Sequence, residues 1–294
     1  MKILIYGAGV IGCLYAALFA EAGEDVTVLA RGSRLEMLQN SGLKYKAGKK
    51  TKRADVEIIG ELDRNDRYDF IFVTVREHQL YDVLAKLRDN VSPSIVTMVN
   101  SLDTYDKWER LCGRGRIIPA FPGAGGGFDG DVLNAALTPR IIQPTTFGEI
   151  SGKKTRRTSE LASLFRRAKI PYQIVKDMHA WQVCHLAMVV PIADAYYETP
   201  HPEKAGCDMK LMRKTARRIK RNFGLLKRHG VRLTPTKMEL FRLLPTGLLT
   251  LGLSVTFKSR FGDKFMYRHS MKAPDEMREL HRKFYSYLKY EVHL

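Results

Sequence analysis

Through the first 176 residues, short apolar runs alternate with segments whose apolar positions recur every three or four residues. Lys2–Tyr6, Asp25–Leu29, Asp69–Val75, Ile95–Val99, Ile117–Phe121 and Tyr172–Val175 are too short and too continuously apolar for surface helices. They fit strands covered on both faces. Between them, Cys13–Gly23, His78–Leu87 and Glu160–Lys169 carry helical spacing. Strands alternating with helices predict an α/β fold, a doubly wound parallel sheet. Residues 42–46 and 54–59 predict a small hairpin with a basic, solvated tip at Lys49–Arg53, and the sheet is expected to continue through Arg140–Ile150. From Asp177 onward the strand pattern stops. His179–Tyr197 is mostly apolar, Lys210–His229 is amphipathic and basic, and Glu276–Tyr290 is amphipathic with alternating charge. The predicted division is therefore 1–176 as a sheet domain and 177–294 as an all-helical domain.

The first strand runs into Gly7-Ala8-Gly9-Val10-Ile11-Gly12, and a helix follows. Strand, G-x-G-x-x-G and helix together form the Rossmann dinucleotide-binding signature. Gly7 permits the tight turn, Gly9 lets the backbone approach a pyrophosphate, and Gly12 lets helix and strand pack closely. The amides and dipole of the helix N-terminus receive the anion. A secretory signal peptide is the competing interpretation of Met1–Ala22, but its n-region would hold a single lysine and three glycines would break its apolar core. At the end of the second strand an NAD-binding unit places an acid against the ribose 2′-hydroxyl. Here the chain reads Ala30-Arg31-Gly32-Ser33-Arg34. An acid would repel a 2′-phosphate, whereas Arg31, with Arg34 nearby, would pair with it, so NADP(H) is the expected cofactor. Ligands of such sheets bind at the carboxyl ends of strands, which places Gly7–Gly12, Arg31, Arg76, Asn100 and the 122–127 loop on one rim.

Charge and cysteine content narrow the setting. The 294 residues carry a net charge of +18, yet residues 1–150 are balanced, with 19 Lys/Arg and 19 Asp/Glu. The excess lies in the second half, where it would suit an anion or remain a solvated face. A nucleic-acid or lipid contact ranks last, because the basic positions recur on amphipathic helices without aromatic interleaving. No apolar stretch reaches the ~18 residues of a spanning helix. The nearest approach, Leu243–Phe257, is broken by Pro245 and glycines and is expected to be a buried helix or pocket wall. The four cysteines, Cys13, Cys112, Cys184 and Cys207, show neither zinc spacing nor a C-x-x-C pair, so reduced thiols in the cytoplasm and no metal site are expected.

With its glycine-rich start, Val26-Thr27-Val28-Leu29-Ala30-Arg31-Gly32, strands ending at Arg76 and Asn100, Gly148-Glu149, and a helical second half, the chain resembles the ketopantoate reductases. The resemblance is specific in residues 1–150 only. It implies an NADPH-dependent reductase of a 2-oxo acid or related ketone, with the substrate held between two domains. Gly7, Ala8, Gly9, Val10, Ile11 and Gly12 would hold the pyrophosphate and Arg31 the 2′-phosphate. Asn100 would contact nicotinamide ribose and substrate, Ala124 would lie beside the cofactor, and Arg76 stands where the family usually has a lysine. The family's W-x-K-x-x-x-N helix is only partly kept: Trp181 is present, but Val183 and Ala187 occupy the lysine and asparagine places. Ser270 and Glu276 loosely echo the family's substrate-binding serine and glutamate. Carbonyl reduction needs a proton source; His185, one turn after Trp181, is the candidate, with His179 next. The loss of the Lys/Asn pair leaves a second interpretation open, a non-catalytic NADP(H)-binding sensor or scaffold. A homodimer through the second half is left open as well.

Overall fold

Tyr6 ends a strand whose residues Ile3, Leu4 and Ile5 are wholly buried, and seven more strands assemble around it. The computed structural model describes residues 1–272 and 274–291, and the chain divides into two compact units, 1–178 and 179 onward. In the first unit, β1 (Lys2–Tyr6), α1 (Val10–Glu21), β2 (Asp25–Leu29), α2 (Gly32–Ser41), β3 (Leu43–Ala47), β4 (Lys50–Ala54), β5 (Glu57–Ile59) and β6 (Phe70–Val73) come first. Then follow α3 (Glu77–Lys86), β7 (Ile95–Met98), α4 (Tyr105–Cys112), β8 (Ile117–Phe121), β9 (Ala124–Asp129), β10 (Val132–Leu137), β11 (Thr145–Phe147), α5 (Arg156–Arg167) and β12 (Tyr172–Ile174).

The main sheet runs in the order β12-β11-β8-β7-β6-β1-β2-β5. Strand order reverses direction between β1 and β6, so right-handed crossovers place α1 on the opposite face from α3 and α4. That reversal is the switch point where α/β sheets open a ligand crevice. Phe19 of α1, Phe72 of β6, Phe147 of β11 and Phe165 of α5 form an aromatic core, with ring centroids 5.0 Å apart for Phe19–Phe72 and 5.4 Å for Phe147–Phe165. The expected parallel sheet is mixed at one edge, because β11 pairs with β8 antiparallel.

Two sequence expectations need correction here. The hairpin partner of β3 is β4, the basic segment assigned above to the tip, whereas Glu57–Ile59 joins the main sheet parallel to β2. The glycine-rich 122–127 loop instead enters β9, which pairs antiparallel with β10 in a second sheet ordered β4-β3-β10-β9. A glycine run has no side-chain alternation to mark it as a strand; its backbone pairing does so.

The second unit is helical: α6 (Met178–Tyr197), a 3-10 turn (Pro202–Cys207), α7 (Met209–Arg228), α8 (Lys237–Leu243), α9 (Thr246–Lys258), a π-helical turn (Gly262–Tyr267), α10 (Arg268–Lys272), α11 (Pro274–Ser286) and a final π turn (Tyr287–Glu291). The apolar 243–257 segment is not a fully buried helix. In α9, Leu249, Leu253 and Phe257 are buried at helical spacing, while Leu248, Leu251 and Val255 are more than half exposed. Among the described residues no helix is long and apolar enough to cross a membrane.

Buried carboxylates pin the helices to the sheet. Glu149, with its side chain 5% exposed, takes hydrogen bonds from Thr155 and from Arg157, whose Nε lies 2.8 Å from Oε1, and Arg157 also donates to the carbonyls of Gly115 and Ile117. Glu24 similarly accepts from the chain's amino terminus at 2.6 Å and from Arg167 at 2.7 Å. Burial pushes the Glu149 carboxyl up, but the bonds from Arg157 and Thr155 outweigh it and hold the group below its ordinary 4.5. A carboxylate so lowered contributes stability that is full above pH 4.5 and is lost as pH falls through its native value. In Glu149→Gln, urea unfolding at pH 7 should show a loss of about 3 kcal/mol, the cost of breaking a buried pair. The gap from wild type should close as the pH is lowered below 4.5. A gap that does not change with pH would show that the carboxylate charge is irrelevant.

Candidate dinucleotide site

β1 delivers the chain to Gly7, whose φ of +117° is open to glycine and strained for other residues. The turn folds α1 back on the strand so tightly that a Cβ at Gly12 would stand 2.0 Å from the Gly7 carbonyl oxygen and 2.5 Å from Thr74 Oγ1. Thr74, just after β6, donates its hydroxyl to that same carbonyl at 2.8 Å. Gly9 caps α1 with extended backbone and no side-chain hydrogen bond, and the helix has no acid in its first turn. Its first amides therefore face outward without intrahelical acceptors. A Cβ on Gly9 would meet nothing within 4 Å. The protein's own packing has no need of a glycine there; a ligand approaching the amides has. These residues fit a dinucleotide pyrophosphate.

Arg31 follows β2 and begins α2, and its guanidinium donates to the Tyr6 hydroxyl and lies 5.5 Å from the centre of the Tyr6 ring. Arg34 lies 3.8 Å over the ring of Phe128 in β9 and contacts Met37 Sδ at 3.2 Å. Burial raises the Tyr6 phenol above its ordinary 10.0 despite Arg31 beside it, so it remains a neutral acceptor at physiological pH. Arg76 begins α3 and is exposed; its backbone N–H donates to Gln79 Oε1 at 3.3 Å. Asn100 follows β7, half-buried, and its Oδ1 is buried with no hydrogen-bond partner among the described residues. Ala124 opens β9 opposite Leu137, half-buried.

Gly7, Arg31, Arg76 and Asn100 thus stand at the carboxyl ends of the neighbouring strands β1, β2, β6 and β7, on one rim. The sequence offered no marker for Tyr6, Thr74 or Phe128, which support this rim through contacts across strands. Tyr6 read as one more apolar strand residue.

In the second unit, His185 is 5% exposed and stacks on Trp181, centroids 5.2 Å apart and planes 7° from parallel. Val183 and Ala187 are wholly buried, and the Ala187 carbonyl accepts from Asn222 Nδ2 of α7 at 3.1 Å. Ser270 is 4% exposed; its carbonyl accepts from the Tyr197 hydroxyl, and Glu276 is half-buried on α11. Tyr197 lies twelve residues beyond His185 on α6, about 18 Å of helix. Ser270 therefore belongs to the end of α6 far from His185, and the two do not form one constellation.

A pair the sequence analysis passed over lies nearer that end: Asp194 contacts His281 Nδ1 at 2.8 and 3.0 Å. Burial raises the Asp194 carboxyl above its ordinary 3.8, with His281 and Arg218 opposing. The only signal was an acid within a largely apolar helix. The basic excess falls on the outer side of α7, where Lys210, Arg213, Lys214, Arg217, Arg218 and Arg221 line one shallow groove. Lys214 and Arg218 are paired with Glu198.

A family model described as ketopantoate reductase PanE/ApbA matches residues 3–149, half of the chain. The 2-dehydropantoate 2-reductase of Mesorhizobium japonicum is 31% identical over 162 residues, 51% of this chain and 44% of that protein. The Pyrococcus horikoshii protein of the same name is 27% identical over 191 residues, 62% of this chain and 58% of its own length. The chain thus matches about half the length of these relatives. The fold is shared along its full length with solved structures. A 2-dehydropantoate 2-reductase from Geobacter metallireducens GS-15 superposes with a TM-score of 0.67 at 18% identity, covering 98% of both chains. D-mandelate dehydrogenase, solved with NADH and anilino(oxo)acetate, gives 0.62 at 13% identity over all of both chains. Matched over half its length by that family model, the chain belongs to the ketopantoate reductase family of oxidoreductases.

Proposed function

We propose that this chain binds NADPH and reduces a 2-oxo acid or a related carbonyl compound. One observation carries the reading: an anion cradle with open space beside Gly9 is followed, at the ribose position after β2, by arginines where an NAD-binding unit has an acid. When bound, the nicotinamide supplies hydride from its C4. The α1 amides hold the pyrophosphate, and Arg31 pairs with the 2′-phosphate through the guanidinium donors not used by Tyr6. Asn100 offers to a ribose hydroxyl or to the substrate an Oδ1 that has no partner among the described residues. Arg76, exposed at the start of α3, is suited to an anionic group of cofactor or substrate. His185 is the proposed proton donor in the helical unit; Ser270, held by Tyr197 at the far end of α6, is not proposed as a contact of the same substrate. The substrate is proposed to differ from ketopantoate, since Val183 and Ala187 replace the family's lysine and asparagine and both are buried and apolar. That same pair favours the second reading, an NADP(H)-binding sensor without turnover.

NADPH fluorescence titration should give a Kd at least tenfold below that for NADH, and Arg31→Ala should erase most of the difference. Equal affinities in the wild type would refute the assignment of Arg31. Gly9→Ala should still fold, because a Cβ there meets nothing within 4 Å, yet weaken NADPH binding tenfold or more by obstructing the phosphates. A panel of 2-oxo acids and ketones should include at least one oxidant of bound NADPH other than ketopantoate, and His185→Gln should lower its kcat by about a hundredfold with NADPH affinity unchanged. Binding without turnover across the panel would establish the sensor instead.

A further inference from the structure

We infer that Tyr6 is the residue that sets cofactor specificity through Arg31, holding its guanidinium where a 2′-phosphate would be met. The inference rests on the NADPH reading above and adds a residue to it. Tyr6 closes β1 immediately before the glycine turn and lies opposite Leu29 in the parallel β1–β2 ladder, two residues ahead of Arg31. Tyr6 is 4% exposed, so it is a fixed wall and not a mobile surface group. Arg31 is held to it in two ways, by an N–H donated to the phenol oxygen and by the guanidinium lying 5.5 Å from the ring centre.

An exposed arginine loses much of its rotamer freedom when a ligand fixes it. A guanidinium already held on a buried ring has given up part of that freedom before the ligand arrives. Only one of its five N–H donors is needed for the phenol, and the rest remain for phosphate oxygens. Arg34, the other arginine of this turn, is engaged with Phe128 and Met37, which leaves Arg31 as the cation at the strand end. Tyr6 touches neither the reacting carbon nor any proton in transit, so it acts as a positioning residue for binding.

The test is a double-mutant cycle read by NADPH and NADH fluorescence titration on the full chain. Tyr6→Phe keeps the buried ring and removes the acceptor. It should raise the NADPH Kd about threefold to tenfold, the worth of one hydrogen bond, and leave NADH affinity unchanged. Tyr6→Leu, which also removes the aromatic face, should raise it further. In an Arg31→Ala background, Tyr6→Phe should have no effect on either cofactor. If Tyr6→Phe weakens NADH equally, or weakens NADPH by the same factor without Arg31, Tyr6 merely supports the turn and the inference falls. If Arg31→Ala abolishes the NADPH preference while Tyr6→Phe preserves it, Tyr6 alone is wrongly assigned. If Arg31→Ala leaves the preference intact, the reading of Arg31 itself fails and this inference fails with it. Thermal melts of each variant separate these outcomes from misfolding.

Discussion

The closeness with which α1 meets the end of β1 is the constraint on which the first unit depends. No side chain fits at Gly12, because the Gly7 carbonyl would lie 2.0 Å from its Cβ. That carbonyl is in turn held by Thr74 from the neighbouring strand end. The turn, the helix and two strands are thereby locked at one point. The direction of the α1 axis, the outward amides and the open space beside Gly9 all follow from it. Close packing is intolerant of an added methylene, so this geometry is set by volume and needs no strong polar interaction to define it.

Around that fixed point, side chains reach across the strand ends. Tyr6 closes β1 and Arg31 follows the adjacent β2, and Arg34 rests on an aromatic ring from the second sheet. The second sheet thus does more than decorate the fold, since it supplies the surface that engages one of the two arginines after β2. The carboxylates of Glu24 and Glu149 play the complementary structural part by fixing α5 and the loops before it to the sheet. Their charges are compensated by buried arginine contacts, as charges removed from water must be.

The helical unit is built on a different balance. Its first helix is so apolar that Val183 and Ala187 are core positions. The few polar groups that remain on α6 are spaced out along it. His185 is stacked on Trp181 near the start, and Asp194 is paired with His281 about two and a half turns after His185. The charge excess of this half is displayed on α7, away from the buried seam of that helix.

Strand–helix alternation, the glycine turn, the missing acid after β2 and the change of pattern at 177 were all legible in the sequence. Each is local: burial on both faces imposes a continuous apolar run, and a close backbone approach imposes glycine. The same local logic failed where pairing between distant segments decides. Gly125–Gly127 became part of a strand because Asn134–Ala136 lies alongside, and Glu57–Ile59 left its supposed hairpin because β2 had an open edge. Leu248, Leu251 and Val255 read as core residues until the packing of α9 turned them outward. The sequence determined which backbone cradle this protein builds and where along the chain it lies. Only the tertiary structure decided which side chains brace it, since a tyrosine at 6 and an arginine at 31 become partners through strand register, which no short stretch of sequence encodes.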